Sequence, residues 1–152
     1  QIVHRDLKPS SIRVTPLGKP VIIDFGQARH LNMPDLTRTV LGAGLGTPLY
    51  FAPEQFRGTK RDIDERTDVF ALGVILHTAA VGTHPFYDGT QDLRGLEIAV
   101  CESDDYSNKD AFRQLPDKLK TLIKWLLGKN RCDRPRCQQV ADALAKIAQG
   151  VK

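Results

Sequence analysis

From Val69 to Val81 no residue is charged and nearly every position is apolar. A helix with one apolar stripe can lie on a surface, whereas one that is apolar nearly all round has to be packed on every side. The stretch, with Thr67 and Asp68 able to cap its start, therefore predicts the central rod of a helical domain, and the rest of the chain must supply its cover. The wider uncharged run, Val69 to Tyr87, contains His77, His84, two glycines and a proline. That is poor material for a membrane span, which needs about 20 apolar residues, so no membrane segment is expected. With 152 residues, 41% hydrophobic and 26% charged, the chain fits one domain with a real core and falls outside the disordered and collagen-like classes.

Two β-branched runs, Ile12 to Val14 and Val21 to Ile23, flank Thr-Pro-Leu-Gly-Lys-Pro and predict a small β-hairpin. From Gln27 to Thr47 no periodicity holds, and the glycines and threonines predict a long loop of the kind that is usually functional. Beyond Thr67 the pattern is helical. Pro116 and Asp117 open a helix whose Leu119, Leu122, Ile123, Leu126 and Leu127 share one face while Lys118, Lys120 and Lys124 take the other. A last helix follows Asp133 and Pro135, with Cys137, Val140, Leu144 and Ile147 in its expected buried stripe. Between Asp88 and Asp110 the chain is acidic and less regular, with one helix expected around Leu93 to Val100.

Three cysteines, none in a CxxC, give neither a disulfide framework nor a zinc site. A reducing, cytoplasmic setting is the simplest expectation. The net charge of +4 comes from lysines and arginines scattered through every segment, without a basic block interleaved with aromatics, so no nucleic-acid partner is expected.

The chemistry-bearing residues come in a fixed order. His4-Arg5-Asp6-Leu7-Lys8-Pro9-Ser10-Ser11 is followed, after the hairpin, by Asp24-Phe25-Gly26. Then come Gly46-Thr47-Pro48-Leu49-Tyr50-Phe51-Ala52-Pro53-Glu54, Asp68-Val69-Phe70-Ala71-Leu72-Gly73, His84-Pro85-Phe86 and Arg134-Pro135. Any one tripeptide would be weak, but this ordered set resembles the C-terminal lobe of eukaryotic-type serine/threonine protein kinases, from the first residue to about Ala148. Its wording is closest to bacterial members. The resemblance implies a mainly α fold with a small β-hairpin carrying the catalytic and metal-binding loops. Because Gln1 falls at the edge of a motif, residues 1–150 are expected to be a fragment of a larger domain that begins at the catalytic loop.

Phosphoryl transfer needs metal ions, cations and an oriented nucleophile around the dense negative charge of the γ-phosphoryl group. By resemblance, Asp6 stands at the catalytic-base position, Lys8 at that of the cation neutralising the transferred phosphate, and Asp24 at that of the Mg²⁺ ligand between the phosphates of ATP. Hard Mg²⁺ favours such carboxylate oxygens. Ser11 departs from the family pattern, which has Asn there as a ligand to a second Mg²⁺ and a brace for the loop. Two readings follow: a kinase using ATP and Mg²⁺ on Ser or Thr of a protein substrate, with Ser11 a weaker metal ligand, or a catalytically silent, kinase-like protein-binding module. A small-molecule phosphotransferase is a third, opposed by the APE segment and the Asp68 helix, which in the family build a platform for protein substrates.

The resemblance also implies structural and regulatory roles. Glu54 and Arg134 match a buried ion pair, and Asp68 matches the acceptor of catalytic-loop amides, a role compatible with capping its own helix. The segment from about 24 to 54 corresponds to the activation segment, with Thr37 and Thr39 as candidate phosphate acceptors and Arg5 as the cation that a phosphorylated loop engages. Thr47 matches the threonine that ties Asp6 to Lys8 in serine/threonine kinases. Gly42 to Gly46 reads GxGxG, follows no strand and lies inside the loop, so it reads as flexibility and not as a nucleotide loop. No phosphate-covering loop, strand lysine or partner glutamate is found, and the N-terminal lobe of the family is expected to lie outside this chain.

Overall fold

The computed structural model describes residues 2–30, 48–58 and 60–150. Its chain enters as strand β1 (Ile2–Val3), makes a 3₁₀ turn at Pro9–Ser11, and forms a hairpin of β2 (Ile12–Val14) and β3 (Pro20–Ile22). The hairpin pairs Ile12 with Ile22 and Val14 with Pro20. Its second strand thus starts and ends one residue earlier than the β-branched pattern predicts, because Pro20, which has no N–H to donate, sits acceptably at the outer end of a two-stranded ladder. A second turn at Phe25–Gln27 leads into β4 (Arg29–His30), which pairs antiparallel with β1, Ile2 opposite His30 and Val3 opposite Arg29. This short strand lies in what the sequence predicts to be loop. Two residues are too few for any periodicity to betray them.

The rest is helical: α1 (Pro53–Phe56), α2 (Glu65–Val81), α3 (Leu93–Glu102), α4 (Asp110–Arg113), α5 (Asp117–Leu126) and α6 (Cys137–Gln149). α2 is the expected rod, with Val69, Phe70, Ala71, Gly73, Val74 and His77 all buried. One core, of Phe70, Val74, Phe86, Leu96, Val100, Tyr106, Phe112, Ile123 and Leu127, packs on one side of it. A second, of Val69, Leu122, Leu126 and Val140, with Leu144 and Ile147 partly buried against it, packs on the other. Cys137, expected in the α6 stripe, is exposed at the first position of that helix.

α2 starts earlier than expected and is capped differently. Asp64 is the N-cap, its carboxylate accepting from the Arg66 amide at 2.8 Å. Thr67 and Asp68 lie inside the first turns, and their side chains serve distant partners. Gly73 is where α5 crosses α2 most closely, since a Cβ placed there would stand 2.8 Å from Leu126 Cβ and 2.9 Å from Leu127 Cδ2. No helix among the described residues is long and apolar enough to cross a membrane.

Candidate active site

β1 delivers the chain into the loop that carries Asp6 and Lys8, and β4 brings it back after the hairpin. Both ends of the segment holding Asp6 and Asp24 are therefore pinned by one small ladder. Within the loop, Lys8 Nζ lies 2.6 Å from Asp6 Oδ2, with both side chains only partly exposed. The Lys8 and Asp6 heads thus meet despite lying just two residues apart, because the backbone between them is held in a non-repeating shape.

Ser11 is one of the holding points. Its Oγ donates to the Asp6 carbonyl and accepts from the Lys8 amide, each at 3.1 Å, and the residue is 1% exposed. Its backbone carbonyl accepts from Ile23 N at 2.9 Å, which fastens the loop to the chain leading from β3 to Asp24. The hydroxyl is thus engaged on both sides inside the loop.

Asp68 is the second holding point. Reaching in from α2, its two oxygens accept the His4 amide at 2.7 Å and the Arg5 amide at 2.9 Å. Burial pushes the Asp68 carboxyl up from its ordinary range, and those two amides oppose the shift by favouring the carboxylate. Arg5 needs such fixing, since its φ of 66° lies in the left-handed region, which disfavours residues with a Cβ by about 1–2 kcal/mol. Its guanidinium Nε donates to the Gln27 carbonyl, linking the loop to the turn after Asp24. His4 is buried, its Nε2 lies 2.9 Å from the Ile23 carbonyl oxygen, and its ring meets Phe25 edge-on at 4.9 Å.

Among the described residues Asp24 is the other non-glycine residue with a left-handed backbone, also at φ 66°. Its carboxylate is exposed and, among the described residues, makes no hydrogen bond or ion pair. Both oxygens are open to a hard cation, and Mg²⁺ is commonly held by one or two carboxylates together with substrate phosphates. Left-handed conformations at residues with a Cβ concentrate at functional sites, and here they mark the two motifs that carry carboxylates.

Behind the loop, Arg134 and Glu54 form a bidentate pair, Nη1 to Oε1 at 2.8 Å and Nη2 to Oε2 at 2.7 Å. Thr67 Oγ1 donates to the same Glu54 Oε1, and Arg134 also donates to the carbonyls of Gly128, Arg66 and Lys129. α1 is thereby anchored to α2 and to the turn before α6. Thr37, Thr39, Thr47 and the Gly42 to Gly46 run lie outside the described residues. Sequence reasoning missed Gln55, whose Nε2 donates to the Arg5 carbonyl at 2.8 Å. It also missed Arg131, which spans Asp62 and Asp64. A partner that is a backbone carbonyl leaves no trace in a sequence pattern.

The protein kinase domain family matches residues 1–144. Serine/threonine-protein kinase PkaA of Streptomyces coelicolor is 35% identical over 153 aligned positions, which take in 99% of this chain and 26% of that protein. DNA damage-responsive serine/threonine-protein kinase RqkA of Deinococcus radiodurans is 39% identical over 141 positions, 89% of this chain and 20% of that protein. Tyrosine-protein kinase MasK of Myxococcus xanthus is 35% identical over 144 positions, 94% of this chain and 21% of that protein. The chain belongs to the protein kinase family, and it spans only about a fifth to a quarter of the length of these curated relatives.

Proposed function

We propose that this chain is the C-terminal lobe of a bacterial-type protein kinase that transfers the γ-phosphate of ATP to serine or threonine hydroxyls of protein substrates. The observation that carries the reading is the Asp6–Lys8 contact at 2.6 Å, in a loop braced by Ser11 from within and by Asp68 from behind. Asp6 orients the substrate hydroxyl and accepts its proton. Lys8, already donating to Asp6, is placed to follow the transferred phosphoryl oxygens. Asp24 holds Mg²⁺, which with ATP supplies the neutralisation of phosphate charge that this chemistry depends on. Ser11 keeps the loop in shape without serving the metal.

Lys8 favours Ser or Thr over Tyr as acceptor, and two of the three relatives described are serine/threonine kinases by name. The exposed apolar side chains of Ile2, Val14, Leu17, Val21, Ile22 and Phe25 support a covering lobe contributed by other parts of the protein. Unpaired Cys101, Cys132 and Cys137 accord with a cytoplasmic setting.

The test uses the natural full-length protein with radiolabelled ATP, Mg²⁺ and a generic protein substrate. Transfer to serine or threonine that disappears in Asp6→Ala is expected; equal transfer by both proteins would refute the reading. The residues 1–152 alone are expected to be inactive, because positioning of the phosphates supplies most of the rate. A silent binding module is the second reading, favoured by the departure at Ser11, and a full-length protein that binds no ATP and transfers nothing would establish it.

A further inference from the structure

Gln55 follows directly on the Ala52-Pro53-Glu54 motif, and nothing in the sequence marks it for chemistry. In the fold its side-chain amide is used at both ends. Oε1 accepts from the Ala52 amide at 3.0 Å, fixing the start of α1, and Nε2 donates to the Arg5 carbonyl at 2.8 Å. This assignment is fixed by its partners, because rotating the amide would set donor against donor and acceptor against acceptor.

The Arg5 carbonyl belongs to the peptide that joins Arg5 to Asp6. That peptide follows the left-handed Arg5 backbone, a conformation that persists only where the surroundings over-determine it. Asp68 secures the amide on the near side of Arg5 and Gln27 receives its guanidinium. Gln55 is the group that secures the far side, where the chain passes to Asp6. We infer that Gln55 is a positioning residue for Asp6, holding the Arg5–Asp6 peptide in the one orientation that points the Asp6 carboxylate at Lys8 and the acceptor hydroxyl.

The inference rests on the reading of Asp6 as base and goes beyond it. It makes α1, the end of the segment that begins at Asp24, a direct support of the catalytic loop. Displacing α1 would then slacken Asp6 without touching it.

The discriminating variant is Gln55→Glu. One carboxylate oxygen can still accept from Ala52 and keep α1 capped, while the other meets the Arg5 carbonyl as a second acceptor. Gln55→Leu removes both contacts. Initial rates of the full-length protein would be measured with ATP and a protein substrate across pH 6 to 8.5. Gln55→Glu should lower kcat about tenfold at pH 8, the scale of a misplaced catalytic group, with KM for ATP within about twofold of wild type. Its deficit should shrink as pH falls, because a protonated carboxyl regains a donor for the Arg5 carbonyl. The deficit of Gln55→Leu should stay constant with pH.

A Gln55→Glu enzyme with wild-type kcat at pH 8, or one whose loss falls on KM for ATP instead of kcat, overturns the assignment. Asp6→Ala, run in parallel, separates the two layers. Transfer that survives Asp6→Ala removes the reading of Asp6 as base, whereas transfer lost there but intact in Gln55→Glu removes only the role of Gln55.

Discussion

Replacing Arg134 by Met strands a carboxylate. The side chains of Arg134 and Glu54 are 0% and 5% exposed, so neither charge can turn to water when its partner goes. With Arg134 removed, Glu54 keeps one donor, the Thr67 hydroxyl. Deleting one member of such a buried pair costs roughly 3–5 kcal/mol. Glu54→Gln should cost less, because Arg134 retains the Gly128, Arg66 and Lys129 carbonyls as acceptors. Hydrogen exchange of the α2 amides in the full-length protein reads this local free energy, and Arg134→Met should speed it by about two to three and a half orders of magnitude. The double variant Glu54→Leu/Arg134→Met should recover part of the loss, since an apolar pair strands no charge. An Arg134→Met deficit below about 1 kcal/mol at pH 7 would refute the reasoning.

Three further outcomes are expected. His77 is fully buried, stacked on Phe112 and edge-on to Tyr106, and burial pushes its pKa down to about 4. The unfolded chain therefore binds more protons than the fold between pH 6.5 and 4, so stability is full above that window and is lost as pH falls through it; acid unfolding of His77→Phe should show a shallower slope there. Gly73→Ala forces a Cβ against Leu126 and Leu127 and should destabilise by about 1–3 kcal/mol in urea titrations, while an unchanged midpoint would mean that α5 moves aside freely. Ser11→Ala removes both loop contacts of the hydroxyl and should lower kcat of the full-length protein without altering its magnesium dependence; a shifted magnesium titration would mark Ser11 as a metal ligand instead.

The longer helices were legible because their signal is collective, whereas the single-turn α1 and α4 carry none. The one-sided pattern from Leu119 to Leu127 and the all-apolar run of α2 each repeat over several turns, and packing gives them no reason to do otherwise. The cap of α2 was not legible. Asp64, Thr67 and Asp68 are all competent caps by type, and only the tertiary structure shows that Thr67 and Asp68 are drawn away to Glu54, His4 and Arg5. The order of motifs brought Asp6, Lys8, Glu54, Asp68 and Arg134 into view as candidates. The left-handed backbones of Arg5 and Asp24 were hidden, since neither residue type predicts that conformation and both are imposed by neighbours distant in sequence.

The separation of Glu54 from Arg134 by 80 residues has a consequence for the newly made protein. At about 5–20 residues per second, a ribosome needs several seconds to pass from one to the other. Throughout that interval the Glu54 carboxylate has no guanidinium to pair with. The Glu54 carboxylate therefore waits for its partner while the intervening helices are made, and α1 is tied to the turn before α6 only once Arg134 has followed them.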